Sequence, residues 1–221
     1  NCQHLYEITI PPTITKICKY TFYKCYNLHS ISFPSSLKKI EKYAFYLCHS
    51  LSSIYFPSSL ESIDEYAFHG CYSSSYVEFE NPNTIIGSNC FDGCAELKYI
   101  KLPSNLKIIK RSTFNKCAKL VSLEIPDSVE TIEDSAFSGC EELRTMQINA
   151  SSNLKKIGKC AFNLCNELKE INIPSNVSEI DINAFICSNG ELKINLYSTY
   201  FDPSDDEFRF CKEVERKNIP T

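Results

Sequence analysis

Apolar residues recur along this chain in one fixed order. A Leu is followed three positions later by Ile, then two later by a second Ile, Leu or Phe, and usually by Pro. After the Pro come Leu and Ile at steps of three, an Ala-Phe pair, and a Cys three residues beyond the Phe. Phe22, Phe45, Phe68, Phe91, Phe114, Phe137, Phe162, Phe185 and Phe208 stand 23 residues apart, with one interval of 25. The clearest neighbours are NLHSISFPSSL at 27–37 and SLSSIYFPSSL at 50–60. A fixed period of about 20–50 residues is the mark of a stacked-repeat architecture, in which the copies are rungs.

Each part of the unit predicts an element. Alternating apolar residues before the Pro fit a short strand with one buried face. The Pro cannot donate a ladder hydrogen bond and so ends that strand. Phe, Cys and the next Leu recur at steps of three, which predicts a helical or 3-10 turn with one face inward. No coil of this kind buries its own apolar face, so neighbouring coils must supply the core. Parallel strands stacked about 4.8 Å apart would make nine coils span roughly 40 Å.

The runs I-P-x-x-L-x-x-I-x-x-x-A-F-x-x-C-x-x-L resemble the BspA-like, or Treponema pallidum-type, class of leucine-rich repeats. Phe33-Pro34 to Leu51, Phe56-Pro57 to Cys71 and Ile125-Pro126 to Leu143 carry the likeness best. It weakens at Glu80–Asn83, at Asn149–Asn153 where two residues are inserted, and from Tyr197 to Phe210. The resemblance implies an α/β leucine-rich-repeat solenoid. Residues 1–221 would form a single domain of about nine 23-residue coils. A concave parallel β-sheet would face short helical or 3-10 segments on the convex side. Residues 197–221 read as a degenerate or capping repeat. Both ends fall inside a repeat, so a piece of a longer chain is expected. Proteins of this class are often surface-associated adhesins, which implies a cell-surface or secreted location; a cytoplasmic scaffold is the alternative.

Composition narrows the functional classes. A net charge of −4 and no basic run with interleaved aromatics argue against a nucleic-acid partner. Lys101, Lys107, Lys110, Arg111, Lys116 and Lys119 crowd one region. Asp127, Glu130, Glu133, Asp134, Glu141 and Glu142 crowd the next, which reads as adjacent solvated edges. No apolar run approaches the roughly 18 residues of a membrane span, so no direct membrane insertion is expected from this segment.

Thirteen cysteines would ordinarily suggest a disulfide framework. Nine of them, however (Cys2, Cys25, Cys48, Cys71, Cys94, Cys117, Cys140, Cys165 and Cys211), hold one repeat position, where parallel side chains form a buried ladder. The redox state of Cys18, Cys90, Cys160 and Cys187 stays open, with a bridge or reactive thiol conceivable at Cys160. His4, His29, His49 and His69 sit at variable repeat positions without an acidic companion at a recognisable spacing, and read as surface residues. No phosphate-binding, nucleophile or metal-ligand motif occurs. The expectation is a non-catalytic protein with no cofactor and no metal.

Binding is better supported. The fifth and seventh residues after each ladder Cys point out of the strand sheet. Three neighbouring coils thereby present Tyr55, Tyr76 and Tyr99, bracketed by Glu78, Lys101 and Glu124. Tyr gives a large contact area at low entropy cost, as at interface hot spots. A protein partner on the concave face is therefore expected, and the resemblance implies that it is a host, matrix or cell-surface one. Two N-x-[ST] sequons, at Asn149 and Asn176, are possible glycosylation sites.

Overall fold

The computed structural model describes residues 2, 4–186 and 190–219. Each of the first eight coils contributes a longer strand and a two-residue strand. The N-terminal coils hold β1 (Glu7–Thr9), β2 (Lys16–Ile17), β3 (Ser30–Ser32), β4 (Lys39–Ile40), β5 (Ser53–Phe56), β6 (Ser62–Ile63), β7 (Tyr76–Phe79) and β8 (Ile85–Ile86). The central coils hold β9 (Tyr99–Lys101), β10 (Ile108–Ile109), β11 (Ser122–Glu124), β12 (Thr131–Ile132), β13 (Thr145–Gln147) and β14 (Lys156–Ile157). The C-terminal coils hold β15 (Glu170–Ile173), β16 (Glu179–Ile180), β17 (Lys193–Leu196) and β18 (Glu213–Arg216).

All recorded pairings are parallel and join each strand to its counterpart on the next coil. The longer strands build the face expected to be concave, in the groups β1-β3, β5-β7-β9, β11-β13 and β15-β17-β18. The short strands build two four-stranded ladders, β2-β4-β6-β8 and β10-β12-β14-β16. The two inserted residues are absorbed before β14, where Thr131 pairs with Lys156 instead of the residue 23 positions on.

The repeated apolar positions form the core. Phe45, Phe68, Phe91, Phe114, Phe137, Phe162 and Phe185 are fully buried and stack ring on ring, 4.8 to 5.9 Å between centroids. Ala44, Ala67, Ala136, Ala161 and Ala184 precede them, and Cys90 and Thr113 fill the same slot. The last described coil keeps a buried Phe208, and β18 pairs with β17 although little else of the repeat survives there.

One expectation fails. The side expected to be convex carries turns, not short helical segments; among the described residues the single helical piece is a 3-10 turn at Asp206–Phe208 in the last coil. Two residues per coil explain it. Tyr20 and Lys24 flank Phe22 with φ of 59° and 56°, and the pattern recurs at Tyr43 and Leu47, Tyr66 and Gly70, and Asn89 and Gly93. A left-handed residue breaks a right-handed helix. The backbone donors leave the coil instead: Phe22 N–H donates to Ala44 O at 2.8 Å and Lys24 N–H to Tyr46 O at 2.8 Å. The turns are thus bonded to one another from coil to coil, as strands are.

Candidate functional site

Strand alternation sets the candidate site. Val77 and Ile100 are buried, which turns their neighbours Tyr76 and Glu78, and Tyr99 and Lys101, outward. Register places Tyr76 beside Tyr99 and Glu78 beside Lys101. Tyr76 and Tyr99 stack with centroids 5.1 Å apart and planes 17° from parallel. Tyr55 pairs in register with Glu78, yet its ring reaches diagonally to Tyr76 at 5.4 Å. Five of the six candidate residues are thereby brought into one cluster.

The polar members are tied to the rings. Tyr76 Oη donates to Glu78 Oε2 at 2.8 Å, and this hydrogen bond to a carboxylate pushes the phenol up to about 12. Lys101 Nζ lies 3.7 Å from Glu78 Oε1. Glu124 stands apart, one coil further on. No ladder pairing joins β9 to β11, and a depression of about 510 Å³ lies along that seam, lined by Tyr99, Lys101, Ser122, Glu124, Gln147 and Asn149 among others. The seam is invisible in the sequence, because the repeat continues through it unchanged.

A second aromatic surface went unread. On the turn side Tyr20, Tyr43 and Tyr66 stack in one column, both pairs at 5.2 Å. Tyr23, Tyr46 and His69 form a second, at 5.2 and 4.8 Å. Tyr26, His49 and Tyr72 form a third, at 4.7 and 4.6 Å. The signal was present: aromatic or His residues at steps of three, in 20–26, 43–49 and 66–72. His69 also has an acidic companion, since its Nδ1 lies 3.4 Å from Asp92 Oδ2, one period on. Desolvation lowers the His49 pKa, and its Nε2 is buried without a hydrogen-bond partner.

The cysteines divide as their positions dictate. Cys25 through Cys165 of the ladder are buried free thiols, whereas Cys2 is exposed and Cys211 half-buried. Each Sγ from Cys48 to Cys165 donates to the carbonyl of the preceding coil's Phe, at 3.1 to 3.4 Å. Burial pushes these thiols up, to about 12 at Cys48 and Cys165. Cys18 is exposed, Cys90 buried and Cys160 half-buried, all unbridged; Cys187 lies outside the described residues.

The opposite-charge clusters pair across one period. Lys107 meets Glu130 at 3.6 Å and Lys119 meets Glu142 at 2.7 Å, while the backbone N–H of Arg111, not its guanidinium, donates to Glu133 Oε2 at 2.8 Å. Asn149 and Asn176 are both exposed. Their amides donate to Asp127 Oδ1 and Ser152 O, each at 2.7 Å. Among the described residues no three His, Cys, Asp or Glu side chains gather as metal ligands do, and no helix is long and apolar enough to cross a membrane.

With this geometry established, known proteins give a context. The family model of the BspA-type leucine-rich repeat region matches residues 1–121 and 107–221. A leucine-rich repeat protein of Bacteroides ovatus superimposes with a TM-score of 0.76 at 26% identity, over 97% of this chain and 61% of that one. The leucine-rich repeat protein of T. pallidum superimposes with a TM-score of 0.68 at 31% identity, over 74% of this chain and 78% of its own. The chain therefore spans less than two thirds of the B. ovatus protein. No curated protein matches the sequence.

Proposed function

The chain belongs to the BspA-type leucine-rich repeat family, and from that premise we propose that it is a non-catalytic protein-binding solenoid, carried at the cell surface or secreted. The observation that carries this reading is the Tyr55–Tyr76–Tyr99 stack on the strand face, with Tyr55 62% and Tyr99 44% exposed. Repeat solenoids bind through such extended faces. Rings already held by their neighbours lose little further entropy when a partner covers them. Glu78, Lys101 and Glu124 would fix the partner's orientation. The exposed sequons at Asn149 and Asn176 suit an extracellular protein. The exposed free thiol of Cys18 favours the second reading, an intracellular scaffold, because such thiols persist in a reducing compartment.

Surface plasmon resonance of the chain over immobilised fibronectin, laminin, fibrinogen and collagen tests the first reading. Tyr76→Ala or Tyr99→Ala should weaken binding more than tenfold while the melting temperature stays put. Parallel loss of affinity and stability would sink it.

A further inference from the structure

The aromatic column of the strand face ends at Tyr99. Tyr76 covers one side of its ring, while the same column continues on the following coils as Ser122 and Thr145. Among the described residues no other ring packs against Tyr99, which leaves a free aromatic face beside a small residue. That step lies at the seam between β9 and β11, in the depression described above. The adjacent column supplies Lys101, Glu124 and Gln147, the last two in register. Lys101 is drawn toward Glu78. Among the described residues, the Glu124 carboxylate and the Gln147 amide make no hydrogen bond or ion pair within the chain. Asn149 and Asp127 close the rim through their mutual 2.7 Å bond, and Ser128 Oγ is spent on Ser104 O and Leu106 O at 2.7 and 2.8 Å.

We propose that this depression is a saccharide-binding subsite, in which a neutral pyranose lays one C–H face on Tyr99 and shares its hydroxyls with Glu124 and Gln147. The inference rests on the strand-face reading above and specifies the chemistry at one end of it. The negative π-face of a phenol attracts the weakly positive C–H groups of a sugar ring. A hydroxyl both donates and accepts, so a carboxylate beside an amide satisfies a pair of them, whereas two carboxylates could only accept. Charge selects a neutral ligand: the lining opposes Lys101 to Glu124 and Asp127, which disfavours a sulfated or phosphorylated group and a cationic peptide alike. A proline-rich peptide would want a second aromatic ridge, and the lining has one ring. A volume of about 510 Å³ lies within the roughly 300–1,000 Å³ of small-molecule sites.

Saturation-transfer NMR with maltotriose, cellotriose, chitotriose and N-acetyllactosamine, each at millimolar concentration, tests this on the intact chain. At least one should bind, and Tyr99→Phe should retain it. Tyr99→Ala should weaken it at least tenfold. So should Ser122→Tyr, which extends the stack over the free face using a residue that suits strands, with no fall in melting temperature. Tyr55→Ala should leave it within twofold. Silence of all four saccharides overturns the proposal, as does binding that survives Ser122→Tyr. Matrix-protein binding without any saccharide signal overturns this inference alone. Saccharide binding without protein binding supports it and removes the protein-partner reading instead.

Discussion

The turn side of the first coils is aromatic, and that of the next coils is built from amides, carboxylates and hydroxyls on the same backbone. Two residues before the core Phe stand Tyr20, Tyr43 and Tyr66, then Asn89, Ser112 and Ser135, all with φ between 52° and 59°. One residue after it stand Tyr23, Tyr46 and His69, then Asp92, Asn115 and Ser138. The interior follows suit: Phe33, Phe56 and Phe79, at or just past the ends of the early strands, give way to Leu102, Ile125 and Ile148. Left-handed backbone costs a residue with a Cβ roughly 1–2 kcal/mol, and Asn bears it better than Tyr. Each aromatic pair returns about 0.5–1.5 kcal/mol, and Tyr43 stacks on both Tyr20 and Tyr66. Stacking therefore offsets the strain in one region, and hydrogen bonding avoids much of it in the other. The fold tolerates both because the turns are held by backbone bonds between coils.

The thiol ladder runs through both regions, and the largest effect should ignore their difference. Burial raises the pKa of Cys48, Cys71, Cys94, Cys117, Cys140 and Cys165 above the ordinary 9.0. These groups stay protonated in the folded state while the unfolded chain ionises, so their contribution is complete below about pH 9 and declines as pH rises toward the folded values. Each thiol then costs the fold roughly 1.4 kcal/mol per pH unit above about 9. The urea midpoint should fall steeply from pH 8 to pH 10. Cys48→Ala and Cys117→Ala should flatten that slope equally; a pH-independent midpoint would mean that the thiols are not buried.

The ladder was legible because a solenoid writes its core at one position per period. Cys90 was legible too, in principle, as the occupant of the Ala slot before Phe91. The turns were not. Steps of three describe one face of a helix and also a turn with a left-handed residue on each side of Phe, and the sign of φ leaves no mark on a Tyr or a Lys. Gly70, Gly93 and Gly139, all left-handed two residues after Phe, were the one hint. Outward-facing strand residues could be read from alternation, which located Tyr76 and Tyr99. The diagonal reach of Tyr55 and the open seam beside Tyr99 depend on how one coil settles on the next. His69 and Asp92 lie 23 residues apart, an uninformative distance until the period is taken as the contact distance.

Asp92 is where the two regions meet, and its removal should have the next largest effect. Burial opposes ionisation of its carboxyl, but hydrogen bonds from Asn89 and Asn115 and the nearby His69 imidazole prevail and hold the pKa below the ordinary 3.8. Asn115 Nδ2 donates to Oδ1 at 2.8 Å and Asn89 Nδ2 to Oδ2 at 3.1 Å. Asp92→Ala strands these amides and should cost about 2–3 kcal/mol. Because the folded value is depressed, the stabilisation is complete above about pH 4 and is lost as pH falls through the folded pKa. Melting curves between pH 5 and pH 2.5 should show a larger loss in the parent chain than in Asp92→Ala, where Glu41, Glu130 and the other depressed carboxylates remain. Identical acid profiles would mean that the carboxylate does not link the regions.

The smallest effect is the most discriminating. Tyr43→Asn installs in the aromatic column the residue that Asn89 contributes to the polar one. It forfeits two parallel stacks, together worth about 1–3 kcal/mol, and relieves left-handed strain of similar size. The melting temperature should therefore move little. Tyr43→Ala loses the same stacks with less relief, because Ala has no side-chain group to hydrogen-bond locally in a left-handed conformation, and it should be the less stable of the two. If Tyr43→Asn were instead as damaging as Tyr43→Ala, the stacks alone would hold this turn. The equivalence of the two regions would then be confined to their core.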